Sequence, residues 1–110
     1  MAYDEELANR LRECLAVESN LSEKRMFGGL AFLLNGNMVV SASGQGGLLL
    51  RVNPAETDSL AAQTHADKAV MRGREMDGWL RVTPDGVQTA KELKRWVDIA
   101  LAYVRTLPPK

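Results

Sequence analysis

Asn35-Gly36 sits between two runs of alternating apolar residues, and that placement leaves the chain little choice. A two-residue hairpin turn of type I′ needs positive φ at both central positions, which Asn and Gly tolerate best. The spacing predicts an antiparallel hairpin, with one strand over 24–34 and a return strand over 37–43. Leu30, Phe32 and Leu34 fall on one face of the first strand, with Ala31 and Leu33 on the other. In the second, Met38, Val40 and Ala42 alternate against Val39 and Ser41. Both faces are therefore apolar. Helices are expected over one of them, and the other is expected to be partly exposed or closed in a homodimer.

The flanking segments follow by periodicity. Leu7, Leu11, Cys14 and Leu15 recur at helical spacing within 3–18, behind an acidic first turn of Asp4, Glu5 and Glu6. A flexible connection, Gly44 to Gly47, leads to a third strand over 48–52. Asn53, Pro54 and Glu56 predict an N-cap, an N1 proline and a capping box for a short helix reaching about residue 63. Residues 65–78 carry no clear period, and 79–83 reads as a fourth strand. After a turn at Asp85-Gly86, Thr89 and Glu92 predict a second capping box. The last helix carries Leu93, Trp96, Val97, Ala100, Leu101 and Val104 on one stripe before Pro108-Pro109. The expected class is α+β: a small, mainly antiparallel sheet packed with helices, in the order helix, three strands, helix, strand, helix.

The length of 110 residues suits one domain. Cys14 is the one cysteine, so no internal disulfide forms, and a reducing, cytoplasmic compartment is the simple reading. The longest apolar runs, Leu30 to Leu34 and Leu48 to Leu50, are far short of a membrane span. Net charge is zero but polarised. Residues 1–67 hold five Lys/Arg against nine Asp/Glu, and 68–110 hold nine against five. Such asymmetry favours pairing with another protein surface and leaves a basic half that could touch nucleic acid.

Catalytic chemistry is not expected. A metal site needs several convergent ligands, and His65 stands as the one histidine, in a segment read as an exposed loop. Cys14 lies on an apolar stripe and reads as a buried structural thiol. Gly28-Gly29 lacks the spacing of a nucleotide loop and reads as a strand bend or a close backbone approach. Glu75 and Asp77 read as salt-linked surface. No cofactor is implied. The candidate contact surface has two parts. Trp79 with Arg72, Arg74 and Arg81 could stack a base or anchor a protein interface, and Lys91, Lys94 and Arg95 share a face of the last helix. A strand and turn before that helix argue against a helix-turn-helix.

The run Lys24-Arg25-Met26-Phe27-Gly28-Gly29-Leu30-Ala31-Phe32-Leu33-Leu34-Asn35-Gly36-Asn37-Met38 closely resembles the N-terminal domain of the TfoX/Sxy family. The likeness continues through Leu49-Leu50-Arg51-Val52, Met76-Asp77-Gly78-Trp79, Trp96-Val97, Ala102 and Leu107-Pro108-Pro109-Lys110. It covers nearly the whole chain, which reads as a stand-alone, single-domain member. The resemblance implies an α+β fold with an antiparallel sheet, like that of secretion chaperones, and no catalytic motif. It also implies a bacterial regulatory role in competence for DNA uptake, exercised through the transcription machinery. Met26, Phe27, Gly28, Gly29, Gly36, Gly78 and Trp79 carry its signature, as architecture or contact surface.

Overall fold

The computed structural model describes residues 4–26, 28–44, 46–71 and 73–109; Phe27 and Arg72 lie outside them. The order is α1 (Glu5–Leu15), β1 (Leu21–Met26), β2 (Gly29–Leu34), β3 (Asn37–Ala42), β4 (Leu48–Arg51), α2 (Thr57–Ala61), β5 (Ala66–Met71), β6 (Arg74–Val82) and α3 (Ala90–Val104). Short 3₁₀ turns, Pro54–Glu56 and Pro84–Val87, precede α2 and α3. The strands form one antiparallel six-stranded sheet in the order β1-β2-β3-β4-β6-β5.

The α+β class is as expected, but the element order is corrected. The single strand over 24–34 is two strands, because the chain reverses at Gly28, whose φ of +74° suits a turn. Residues 65–78 hold β5 and the start of β6, and β6 begins five residues before the expected Trp79. One ladder irregularity and an uninformative turn hid that hairpin. A register shift between Lys68 and Ala69 breaks the alternation, and its turn lacks an Asn-Gly or Asp-Gly pair. The Asn35-Gly36 hairpin forms as read, with φ of 52° and 83°.

Helix limits are also tighter than the periodicity suggested. Asp4 is the N-cap of α1, its Oδ1 accepting from Leu7 N–H at 3.1 Å, and the helix stops at Leu15. Asn53 caps Ala55 N–H at 2.9 Å, but Glu56 makes no return bond. A turn wound at three residues per turn carries that carboxylate away from the cap. Thr89 and Glu92 form the complete box ahead of α3.

Register sorts the sheet into two faces. Glu23, Phe32, Val40, Leu50, Leu80 and Lys68 form one row across all six strands. Its apolar members join Leu7, Leu11 and Leu15 of α1, Leu60 of α2, and Leu93, Trp96, Val97 and Leu101 of α3 in the main core. The neighbouring row is Lys24, Ala31, Ser41, Leu49, Arg81 and Asp67, and it points the other way.

One buried polar link fastens α2 to β6. Thr57 is fully buried; its hydroxyl donates to Pro54 C=O (3.0 Å) and accepts from Gly78 N–H (2.7 Å). Thr57→Val keeps the volume but strands the Gly78 donor. It is expected to cost about 1–3 kcal/mol, read as a lower urea midpoint, with Thr57→Ser closer to the parent.

Candidate functional site

Among the described residues, a second cluster of buried apolar residues consists of strand residues alone. Ala31, Met38, Leu49 and Ala69 are buried, and Met26, Leu33 and Trp79 pack against them half-exposed. No helix contributes to it. Small residues at Ala31, Ser41 and Ala69 let longer neighbours lie across the sheet, so the strand backbone is shielded without a covering layer.

The cations on this face come from alternation. Lys24 opposes Ala31, Arg81 opposes Leu49, and Arg51 opposes Trp79. Ala69 pairs with Met76, which sets Met76, and Arg74 two residues earlier, on the same side. Arg81 donates to Ser43 Oγ at 3.1 Å. The Arg51 guanidinium lies 5.6 Å from the Trp79 ring centroid and 5.9 Å from that of Tyr103, which reaches the sheet end from α3. Two rings around one guanidinium hold it in place while leaving its N–H edge free to donate.

The expected contact residues therefore divide. Arg74, Trp79 and Arg81 share the helix-free face, and Arg72 lies outside the described residues. Lys91, Lys94 and Arg95 belong to α3, on the opposite side of the sheet. Even these separate. Lys94 pairs with Asp98 at 2.8 Å beside α1, whereas Arg95 donates to Gln63 at 2.9 Å and stacks on Trp96 at 4.4 Å. Arg51 and Lys24 were not singled out from the sequence. The parity of Leu49 and Arg51 in β4 carried the signal, since both must leave the helix side together.

The remaining candidates stay apart. Cys14 is only partly buried and lines a groove of about 640 Å³ between α1 and α3, with Val17, Lys94 and Leu101. Desolvation pushes its thiol above the ordinary range, which disfavours the nucleophilic form. His65 is exposed, with φ of 71°, in a different, polar depression lined also by Gln63, Glu92 and Arg95. Asp77 pairs with Lys68 at 3.0 Å, and Asp58 holds the same ammonium at 2.7 Å; both bonds raise the Lys68 pKa. Among the described residues no three His, Cys, Asp or Glu side chains converge on a metal position, and no helix is long and apolar enough to cross a membrane.

The family model described as the TfoX N-terminal domain matches residues 13–104. No curated protein and no solved structure matches the chain.

Proposed function

Since the chain belongs to the TfoX N-terminal domain family, we propose that it is a cytoplasmic regulatory adaptor that docks a protein partner on the helix-free face of its sheet, in the transcriptional control of competence-type genes. Domains of this family are non-catalytic, and the chain is not an enzyme. The observation that carries the docking reading is the make-up of that face. Protein interfaces are enriched in aromatic residues, Met and Arg, and their cores are poor in Lys, Glu and Asp. Here, among the described residues, Met26, Met38, Met76, Trp79, Arg51, Arg74 and Arg81 share one side of the strands with a single lysine, Lys24, and a single carboxylate, Asp67. Thioether side chains adapt to partners of differing shape.

A photo-reactive residue at Leu33, on this face, is expected to cross-link one protein in native cytoplasm. The same residue at Lys91 on α3 is expected to give none. Cross-linking confined to Lys91 would move the contact surface to the helices.

A further inference from the structure

The two sides of the sheet treat charge differently. On the helix side four cations have carboxylate partners, Arg12 with Glu23, Lys68 with Asp58 and Asp77, Lys94 with Asp98, and Arg105 with Glu18, while Arg10, Arg25, Lys91 and Arg95, spread over α1, β1 and α3, make no ion pair among the described residues. On the other side Lys24, Arg51, Arg74 and Arg81 have no carboxylate partner among the described residues. Asp67 stands opposite Arg81 in register yet makes no ion pair with it. Unmatched guanidinium groups around an apolar floor are half of a complementary surface, and the missing half is acidic.

We propose that the helix-free face receives an acidic, apolar-studded segment of its protein partner. Carboxylates of that segment bind Arg51 and Arg81, and its aliphatic side chains lie on Leu33, Met38 and Trp79. This rests on the docking reading above and adds the chemistry of the occupant. Arg51 is the strongest anchor. Its guanidinium is already positioned between Trp79 and Tyr103, so a bidentate carboxylate contact gives up little side-chain freedom.

Two other occupants fit less well. A second copy meeting this face symmetrically would set one cationic patch, Lys24, Arg51, Arg74 and Arg81, against an identical cationic patch, and like charges across an interface repel. Single-stranded nucleic acid needs cations that follow a backbone and several rings for successive bases. Here Lys24 on β1 and Arg81 on β6 stand four strand spacings apart, roughly 19 Å at ~4.8 Å each. Between them lie Ala31, Ser41 and Leu49, and among the described residues the rings near this face, Trp79 and Tyr103, both gather at Arg51 rather than spacing out along the path of a nucleic-acid strand.

Trp79 supplies the readout. Trp96 is 1% exposed, so acrylamide quenching of tryptophan fluorescence reports on Trp79. The full chain is titrated with three probes: a 12-residue peptide with four Glu and three Leu on a Gly/Ser background, its Glu→Gln counterpart, and a 12-nucleotide oligo-dT. The Glu peptide is expected to shield Trp79 at micromolar concentration and to weaken at least ten-fold in the Arg51→Gln/Arg81→Gln double variant. Lys91→Gln/Arg95→Gln, on the other side, should bind like the parent. Circular dichroism confirms that both variants fold. Equal shielding by the Gln peptide overturns the acidic preference while leaving the docking reading intact. Shielding by oligo-dT alone replaces it with nucleic-acid binding. No shielding by the Glu peptide up to millimolar concentration also overturns it, whereas loss of the Leu33 cross-link would sink the docking reading itself.

Discussion

Trp96→Ala is expected to lower the unfolding free energy by about 3–5 kcal/mol, the usual cost of truncating a buried Trp. Trp96 is the largest side chain that the fold seals completely, and it sits midway along α3, facing the sheet. Its removal leaves a cavity that the surrounding strands cannot close, because β3 and β4 are held by ladders on both sides. Arg95 also loses the ring it stacks on. Domains of this size have about 5–15 kcal/mol in all. The variant therefore gives up a large share of its stability, seen as a much lower urea midpoint and a weakened near-ultraviolet circular dichroism signal. An unchanged midpoint would mean that Trp96 is not the keystone of the helix side.

Gly47→Ala is expected to be almost as damaging, for a different reason. Gly47 has φ of +70°, and a Cβ there would lie 2.0 Å from the Val82 carbonyl oxygen and 3.1 Å from the Thr83 carbonyl carbon. The left-handed conformation alone costs a non-glycine residue about 1–2 kcal/mol. The rest comes from a clash with backbone, which cannot rotate away as a side chain would. Relief requires parting the β3–β4 turn, where Ser43 N–H donates to Gly47 C=O at 3.0 Å, from the end of β6. A total of about 3–5 kcal/mol follows, at the severe end for one substitution. Gly73→Ala is the control. Its φ is +78°, but no atom lies within 4 Å of the added carbon, so only the conformational part should appear. Equal losses at the two positions would show that close approach contributes nothing at Gly47.

These positions also show what the sequence made readable. Asn35-Gly36, the Thr89/Glu92 box and the α3 stripe were legible because each is a local rule satisfied within a few residues. The Gly28-Gly29 pair was half legible. A bend or a close approach was expected, and both occur: Gly28 turns the chain, and a Cβ on Gly29 would meet the Ala42 carbonyl at 2.2 Å. That the bend makes a separate edge strand was not visible, because Leu21 to Met26 reads Leu-Ser-Glu-Lys-Arg-Met, too charged for a buried strand. Charge suits an edge, where it discourages unwanted pairing. The β5–β6 hairpin was lost to its irregular ladder, and with it the parity of Arg74 and Met76. That Trp79 and Arg81 share one face of the sheet was legible from their spacing within a strand. Arg51 entered only when register set it opposite Trp79, a relation between residues 28 positions apart that no local pattern encodes.

The strand order has a further consequence, for how the chain reaches this state. β1 to β4 form a meander of neighbours, and β5 with β6 form a hairpin, so each unit can assemble from short-range contacts. The seam between β4 and β6 is different, since it closes only after the intervening segment, with α2 and β5, has looped out. Loop closure over such a span is entropically slow, and non-local pairing is what retards folding. Arg51 and Trp79 meet across that same seam. Arg51 and Trp79 are therefore expected to meet late in folding, which low φ-values of folding for substitutions along that seam would show.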